Sequence, residues 1–163
     1  MIFLQNVFDL EGGNAHPNTQ RLSLIGAGYD DAKHRLNVFA PPGAGPHPVL
    51  VFYHGGAWRF GDRNARNDLY GSLGRRMAQR GILTIVPSYR LSPAYRHPAH
   101  IEDVSRSIAW TFQHAAEYGG DPERIFAMGH SAGAHLVALA GTDPRWLKPY
   151  GLSPDRLKGV IGV

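Results

Sequence analysis

Four short apolar runs alternate with helical patterns along the chain, and this alternation constrains the fold most. The runs are VLVFY at 49–53, ILTIVP at 82–87, IFAM at 125–128 and KGVIGV at 158–163. Continuous apolar runs of this length are typical of strands buried on both faces, as in a parallel sheet. The sequence therefore predicts an α/β fold, a mostly parallel sheet with helices on both faces.

The stretches between these runs predict three helices, at 67–80, 99–118 and 132–141. The second has the clearest pattern, because its apolar residues recur on one stripe. The stripe consists of Ile101, Val104, Ile108, Phe112 and Ala115. RLNVF at 35–39 alternates enough to predict an early strand, and GGDPER at 119–124 predicts a turn.

The length of 163 residues is typical of a single domain. Residues 1–28 are poorly patterned and form a lead-in to it. The last apolar run has neither a turn signal nor a closing helix after it. We expect the sequence to be the N-terminal portion of a domain that continues beyond it; the alternative is a short edge strand at a natural terminus.

Composition excludes several classes of protein. The chain contains no cysteine, which excludes disulfides, thiolate catalysis and cysteine–zinc sites. The net charge of +4 comes largely from arginines that no interleaved aromatic residues accompany, so we expect a solvated surface rather than a nucleic-acid partner. No convincing signal peptide and no membrane-spanning run is present, and a cytoplasmic protein is expected. The oligomeric state is left open.

Residues 129–136, GHSAGAHL, contain the pattern G-x-S-x-G. Such a pattern marks a sharp turn that carries a nucleophilic serine when it joins a strand to a helix. IFAM precedes it and a small-residue helix follows, as the pattern requires. Gly129 and Gly133 lack the Cβ atoms that would obstruct this turn. Ser131 would then project at the carboxyl edge of the sheet, where open α/β folds bind ligands; the alternative is a small residue in an ordinary turn.

A second glycine motif, HGGAW at 54–58, directly follows the run VLVFY. Backbone N–H groups in such a loop stabilise the oxyanion that forms when a serine attacks a carbonyl. A further donor is normally the N–H of the residue after the nucleophile, here Ala132. Two motifs in the expected order, each after a buried strand, favour a serine hydrolase.

The chain resembles the α/β-hydrolase superfamily, in its esterase, lipase and kynurenine formamidase-like branch. The resemblance covers roughly residues 29–163. The matching segments are HGGAW at 54–58, SYRLSP at 88–93, HPAHIEDV at 97–104, GGDPERIFAMGHSAGAHL at 119–136 and GLSPDRLKGVIGV at 151–163. At Ala57 the lipase-like members more often carry a third glycine.

The resemblance implies roles for these residues. Ser131 would be the nucleophile, and the oxyanion would be held by the N–H groups of Gly56, Ala57 and Ala132. Trp58 would either line the acyl pocket or serve in packing alone. The residues that shape the site would be His54, Gly55, Trp58, Gly129, His130 and Gly133, with His54 holding the loop rather than acting as base.

A serine hydroxyl needs a base, which a carboxylate in turn orients. In this fold the order along the chain is serine, acid, histidine, and no histidine occupies a late position. His97, His100 and His135 are weak candidates, Asp143 and Asp155 come early for the acid, and Asp103 fits a structural role. We expect the acid and the histidine to lie beyond residue 163.

The sequence thus predicts hydrolysis of a small-molecule carboxylic ester or aryl formamide through an acyl-enzyme on Ser131. No metal and no organic cofactor is implied. One alternative is a lipase or peptidase of the same fold. The other is a non-catalytic, truncated hydrolase-like binding module.

Overall fold

A computed structural model describes residues 19–23, 33–64 and 66–163, and its strands form one six-stranded sheet. The strands are β1 (Thr19–Ser23), β2 (Arg35–Phe39), β3 (His47–Tyr53), β4 (Leu83–Pro87), β5 (Gly120–Gly129) and β6 (Gly159–Gly162). Their order across the sheet is β1-β2-β4-β3-β5-β6.

The sheet is mostly parallel, which confirms the fold class predicted from the apolar runs. β3 pairs with β4 and β5 in parallel, and β5 pairs with β6 in parallel. β2 is antiparallel to β4 and to β1. A parallel crossover needs about a dozen residues or more. Residues 40–46, which connect β2 to β3, are too few for one, so the chain reverses direction there.

The three predicted helices are present with shifted ends: α1 (Leu69–Ala78), α2 (Ala99–His114) and α3 (Ala132–Thr142). α1 starts later than predicted because Asn67 and Asp68 have left-handed φ angles of 58° and 55°. Beyond His114 the helix predicted to reach residue 118 tightens into a 3₁₀ turn, Ala115–Tyr118. Further 3₁₀ turns cover Arg66–Asp68, Lys148–Tyr150 and Pro154–Arg156.

One prediction about the strands was wrong, and one strand was missed. GGDPER was expected to be a turn, but β5 already begins at Gly120. A Cβ on Gly120 would stand 2.5 Å from the Leu83 side chain and 2.8 Å from that of Val49, so a side chain here would force its neighbours to shift. β1, TQRLS, was not predicted, because its polar composition hides an edge strand. The remainder of the 1–28 lead-in lies outside the described residues.

Helices cover both faces of the sheet, as predicted. Successive strand residues point to opposite faces, so Val51 and Tyr53 join one core and Phe52 the other. The larger core contains residues of α2 and α3, with Ile101, Ile108 and Leu136 fully or almost fully buried. The smaller core contains Ala78 and partly buried residues of α1.

The register between β3 and β5 positions the two glycine motifs. Tyr53, the last residue of β3, pairs with Gly129, the last residue of β5. The N–H of His130 donates to the Tyr53 carbonyl at 3.1 Å and extends this ladder by one residue. HGGAW and GHSAG therefore leave the same edge of the sheet side by side.

The final strand, β6, pairs with β5 alone among the described strands. Val160 and Ile161 on it are 39 % and 43 % exposed. Whether β6 is a central strand of a longer domain stays a prediction. No helix within the described residues is long and apolar enough to cross a membrane.

Candidate active site

Ser131 has the strained backbone that the G-x-S-x-G pattern predicts. Its φ is 52° and its ψ is −114°, a combination that residues with a Cβ rarely adopt. Such a conformation costs about 1–3 kcal/mol and persists only where the surroundings enforce it. The Ser131 side chain is exposed at the turn between β5 and α3.

The flanking glycines make this turn possible. A Cβ on Gly129 would stand 2.2 Å from the carbonyl carbon of Gly133, and a Cβ on Gly133 would stand 2.3 Å from the Tyr53 carbonyl oxygen. Both clashes would be with backbone, which cannot rotate away. The turn is also fixed by backbone bonds, since the Ser131 N–H donates to Val163 at 2.7 Å and the Val163 N–H to Gly129 at 3.0 Å.

The start of α3 presents an unused donor beside Ser131. Ser131 is the N-cap of α3, but its hydroxyl makes no capping hydrogen bond. The first N–H groups of a helix lack partners within the helix. Within the described part of the chain the N–H of Ala132 donates to no acceptor. The same holds for the N–H groups of Gly56 and Ala57, the other two predicted oxyanion donors.

We use HGGAW loop for residues 54–60, which turn tightly at the end of β3. Gly56, Ala57 and Trp58 all have positive φ, at 120°, 51° and 58°. The N–H groups of Arg59 and Phe60 both donate to the Gly56 carbonyl at 2.9 Å. Gly56 tolerates this conformation, whereas Ala57 and Trp58 are strained in it.

Gly55 brings the HGGAW loop against residues 129–133, which we call the nucleophile turn after the role that its sequence pattern predicts. A Cβ on Gly55 would lie 2.7 Å from His130 Nδ1 and 3.2 Å from Ser131 Cβ. The two motifs that the sequence places 75 residues apart are thus in van der Waals contact. The site-shaping glycines Gly55, Gly129 and Gly133 all lie where a side chain would clash.

His54 lies beneath the HGGAW loop and not at the surface. Its ring is fully buried, stacks on Tyr89 with centroids 4.3 Å apart, and contacts the Gly55 carbonyl through Nδ1 at 2.7 Å. The Tyr89 hydroxyl donates to the His54 carbonyl at 2.8 Å. Burial lowers the pKa of His54, so its neutral form is favoured. These contacts suit a residue that holds the loop.

A buried ion pair fixes the neighbouring SYRLSP loop, defined as residues 88–98 after β4. Arg90 contacts both carboxylate oxygens of Asp103 on α2, with its guanidinium nitrogens at 2.7–3.0 Å and its backbone N–H at 2.9 Å. His34 Nε2 contacts the same carboxylate at 3.1 Å. Asp103 was expected to be structural; His34 was missed, because nothing in the sequence links it to this cluster.

The other histidines and carboxylates considered for the base and the acid contact residues other than Ser131. His100 is buried and contacts Ser92 Oγ at 3.2 Å, and burial lowers its pKa. His97 packs edge-on against Trp146. Arg145 lowers the pKa of Asp143, and a hydrogen bond from Ser153 lowers the pKa of Asp155.

The Ser131 hydroxyl has no hydrogen-bond partner among residues 33–64 and 66–163. His130 is exposed beside it, and His135, one helical turn further on, contacts Trp58 edge-on at 5.3 Å. Trp58 is 38 % exposed, so its ring is not a core residue. No group of three or more His, Asp or Glu side chains that could hold a metal occurs in the described segments.

A family model matches residues 36–146, a span that contains both glycine motifs, under the description BD-FAE. The match covers more than half of the chain. The chain belongs to the BD-FAE family. Its sheet and helices are those of the α/β-hydrolase fold, which many solved esterase structures share with it.

Among curated relatives of this BD-FAE chain are three esterases or probable esterases. A probable isoprenylcysteine alpha-carbonyl methylesterase of Arabidopsis thaliana is 40 % identical over 67 % of the chain and 22 % of the relative. The esterase LipC of Mycobacterium tuberculosis is 41 % identical over 72 % of the chain and 30 % of the relative. The probable carboxylic ester hydrolase LipM of that organism is 35 % identical over 82 % and 31 %. The chain thus spans less than a third of the length of each.

Solved esterase structures share the α/β-hydrolase fold of this chain. Esterase 2 of Thermogutta terrifontis, in a form phosphoramylated by tabun, matches with a TM-score of 0.75 and 25 % identity over 90 % of the chain and 56 % of its own. The carboxylesterase EstE1, cloned from a metagenomic library, matches with a TM-score of 0.71 and 27 % identity over 89 % and 46 %.

Proposed function

We propose that this BD-FAE chain carries the nucleophile and the oxyanion donors of a serine esterase. One observation carries the proposal: the exposed Ser131 has a φ of 52° and lies against Gly55 of the HGGAW loop. The Ser131 hydroxyl, unlike its backbone, makes no hydrogen bond among the described residues, so the fold does not account for the strain at this serine. Strain of this kind concentrates at active sites.

The geometry supports an acyl-transfer mechanism. The Ser131 oxygen attacks the ester carbonyl carbon and loses its proton to a base. The carbonyl electron pair moves onto the oxygen, which the N–H groups of Gly56, Ala57 and Ala132 stabilise. Collapse of this intermediate breaks the bond to the alcohol, which leaves with a proton. Water then attacks the acyl-enzyme by the same route and releases the acid.

The base must come from elsewhere, because the Ser131 hydroxyl has no partner among the described residues. We infer that a histidine and its carboxylate reach Ser131 from beyond residue 163. His54 is unsuitable, since its ring is buried and held by Gly55 and Tyr89.

A small carboxylic ester is the substrate class that we favour. The curated relatives with 40 % and 41 % identity are both named as esterases, one of a methyl ester. The exposed ring of Trp58 next to the proposed oxyanion donors suits an uncharged acyl or alcohol group. Aryl formamides are the second class, since their hydrolysis needs the same nucleophile and oxyanion donors.

The test uses a fluorophosphonate probe, which phosphonylates a serine that a base activates. The protein is expressed as its gene encodes it, alongside Ser131→Ala and the control Ser72→Ala, which alters an exposed serine of α1. We expect hydrolysis of p-nitrophenyl acetate and labelling of the parent and the control, and loss of both in Ser131→Ala. Labelling or turnover that persists in Ser131→Ala would refute the proposed nucleophile, and inert parent protein would favour a binding module.

The origin of the base is tested separately on residues 1–163 alone. We expect this chain to hydrolyse p-nitrophenyl acetate far more slowly than the protein as encoded. Full turnover by residues 1–163 that Ser131→Ala abolishes would mean that a described or N-terminal residue acts as base. The inference that the base lies beyond residue 163 would then be wrong, but the proposal that Ser131 is the nucleophile would still hold.

A further inference from the structure

The HGGAW loop contains two strained residues, of which Trp58 packs edge-on against His135 of α3. Ala57 and Trp58 have positive φ although neither is glycine, and both are exposed. Such a conformation relaxes unless other groups hold it. Within the loop, the bonds from Arg59 and Phe60 hold only the Gly56 carbonyl.

The SYRLSP loop supplies the restraint from outside. The N–H of Ser92 donates to the Trp58 carbonyl at 2.8 Å, directly after the two strained residues. In the described segments this is the one backbone–backbone hydrogen bond that reaches Ala57 or Trp58 from another element, and the His100 ring of α2 also hydrogen-bonds to the Trp58 backbone. The position of the Ala57 N–H therefore depends on Ser92 and on the start of α2.

Ser92 is in turn fixed by the first turn of α2 and by its own loop. Its hydroxyl contacts His100 Nε2 at 3.2 Å and donates to the Tyr95 carbonyl at 3.0 Å. Two residues earlier, Arg90 binds the Asp103 carboxylate through both its guanidinium and its backbone N–H. Asp103 is only 3 % exposed, so this carboxylate is a rigid anchor in the core.

We propose that Asp103 is a positioning residue for the oxyanion donors. It holds Arg90 and the SYRLSP loop, and the Ser92 N–H of that loop holds the strained HGGAW loop in register with Ser131. This inference rests on the proposed esterase function. Asp103 touches no reacting atom and acts only through these two loops.

A displaced oxyanion donor weakens stabilisation of the transition state and leaves binding of the ester little changed. A misplacement of about 1 Å can lower a rate by about 100-fold. Loss of the Asp103 anchor should therefore lower kcat and leave KM nearly unchanged. A purely structural role would instead lower the amount of folded enzyme, without changing the kcat of what remains folded.

The experiment measures kcat and KM for p-nitrophenyl acetate in Asp103→Asn, with active sites counted by fluorophosphonate titration. The matched control is Asp143→Asn, which removes a carboxylate that also binds an arginine through both oxygens, Arg145, but lies beyond α3. Ser92→Ala is a milder variant in case Asp103→Asn does not fold. It removes the hydroxyl contacts and keeps the backbone N–H.

We expect kcat per active site to fall about 10- to 100-fold in Asp103→Asn, several-fold in Ser92→Ala and less than twofold in Asp143→Asn, with KM within threefold throughout. The inference is overturned if kcat per active site is unchanged in folded Asp103→Asn or in Ser92→Ala, or if KM alone rises. Ser131→Ala is assayed in parallel. Its activity tests whether Ser131 is the nucleophile, so failure of the esterase proposal can be distinguished from failure of the Asp103 proposal.

Discussion

Gly55 and Ser131 lie so close that a Cβ on Gly55 would stand 3.2 Å from the Cβ of Ser131. The contact joins two turns that leave neighbouring strands, and the pairing of Tyr53 with Gly129 sets their relative height. The HGGAW loop approaches Ser131 this closely because Gly55 has no side chain. The proposed stabilisation of the oxyanion therefore depends on the absence of a Cβ at Gly55.

Gly55→Ala should lower both kcat/KM and the free energy of unfolding, and its main effect should be on kcat/KM. The added methyl would meet His130 Nδ1 at 2.7 Å, where a side chain can turn away, but also the His130 carbonyl oxygen at 3.0 Å, where it cannot. We expect the HGGAW loop to shift and kcat/KM to fall about tenfold or more, with a loss of about 1–3 kcal/mol in the free energy of unfolding.

The control for this substitution is Gly162→Ala, whose Cβ would meet nothing nearer than the Ala134 Cβ at 3.6 Å. Kinetics with p-nitrophenyl acetate and urea denaturation are measured on both variants. Equal kcat/KM in Gly55→Ala and Gly162→Ala would contradict the tight contact between the two turns.

Replacing Ser131 by glycine should relieve the strain of the nucleophile turn. Alanine keeps the Cβ and therefore the cost of a φ of 52°, whereas glycine adopts this conformation freely. We expect the free energy of unfolding of Ser131→Gly to exceed that of Ser131→Ala by about 1 kcal/mol. Urea denaturation of the two inactive variants gives the difference directly. A Ser131→Gly variant less stable than Ser131→Ala would mean that the turn is not strained.

The sequence was sufficient to predict the fold class and the glycines at which the two turns leave no room for a side chain. Buried parallel strands leave continuous apolar runs, and each turn at their carboxyl ends needs glycines at fixed spacing. β1 escaped detection because TQRLS is polar, and the strand from Gly120 escaped because GGDPER has the composition of a turn. Neither is encoded by local periodicity; both are fixed by neighbours in the sheet.

Only part of the buried cluster around Asp103 was predictable from the sequence. Asp103 lies in a recognisable segment, but its partners Arg90 and His34 come from a loop and from the approach to β2. Contacts between elements far apart in sequence leave no periodic signal. Among the described residues the N–H groups of Gly56, Ala57 and Ala132 have no acceptor, and this follows from backbone geometry, which composition does not report.

Gly129→Ala should prevent the nucleophile turn from forming at all. Its Cβ would lie 2.2 Å and 2.3 Å from the carbonyl carbon and oxygen of Gly133, and 2.5 Å from the N of Ala134. All three atoms are backbone, so β5 and α3 would have to separate. We expect the free energy of unfolding to fall by about 3 kcal/mol or more, and fluorophosphonate labelling of Ser131 to disappear. Normal labelling in a fully stable Gly129→Ala protein would contradict this packing.

Acid should destabilise the fold through two buried histidines. Burial lowers the pKa of His54 and of His100 in the folded protein, so the unfolded chain, with pKa values of about 6.5, binds more protons below that pH. Stability then falls as the pH decreases from about 6.5 towards the folded pKa values, and is fully present above that range. The urea midpoint, measured at pH values between 7.5 and 5, should decrease with acid, and less so in His100→Gln. A midpoint that stays constant or rises on acidification would mean that neither histidine is held neutral by burial.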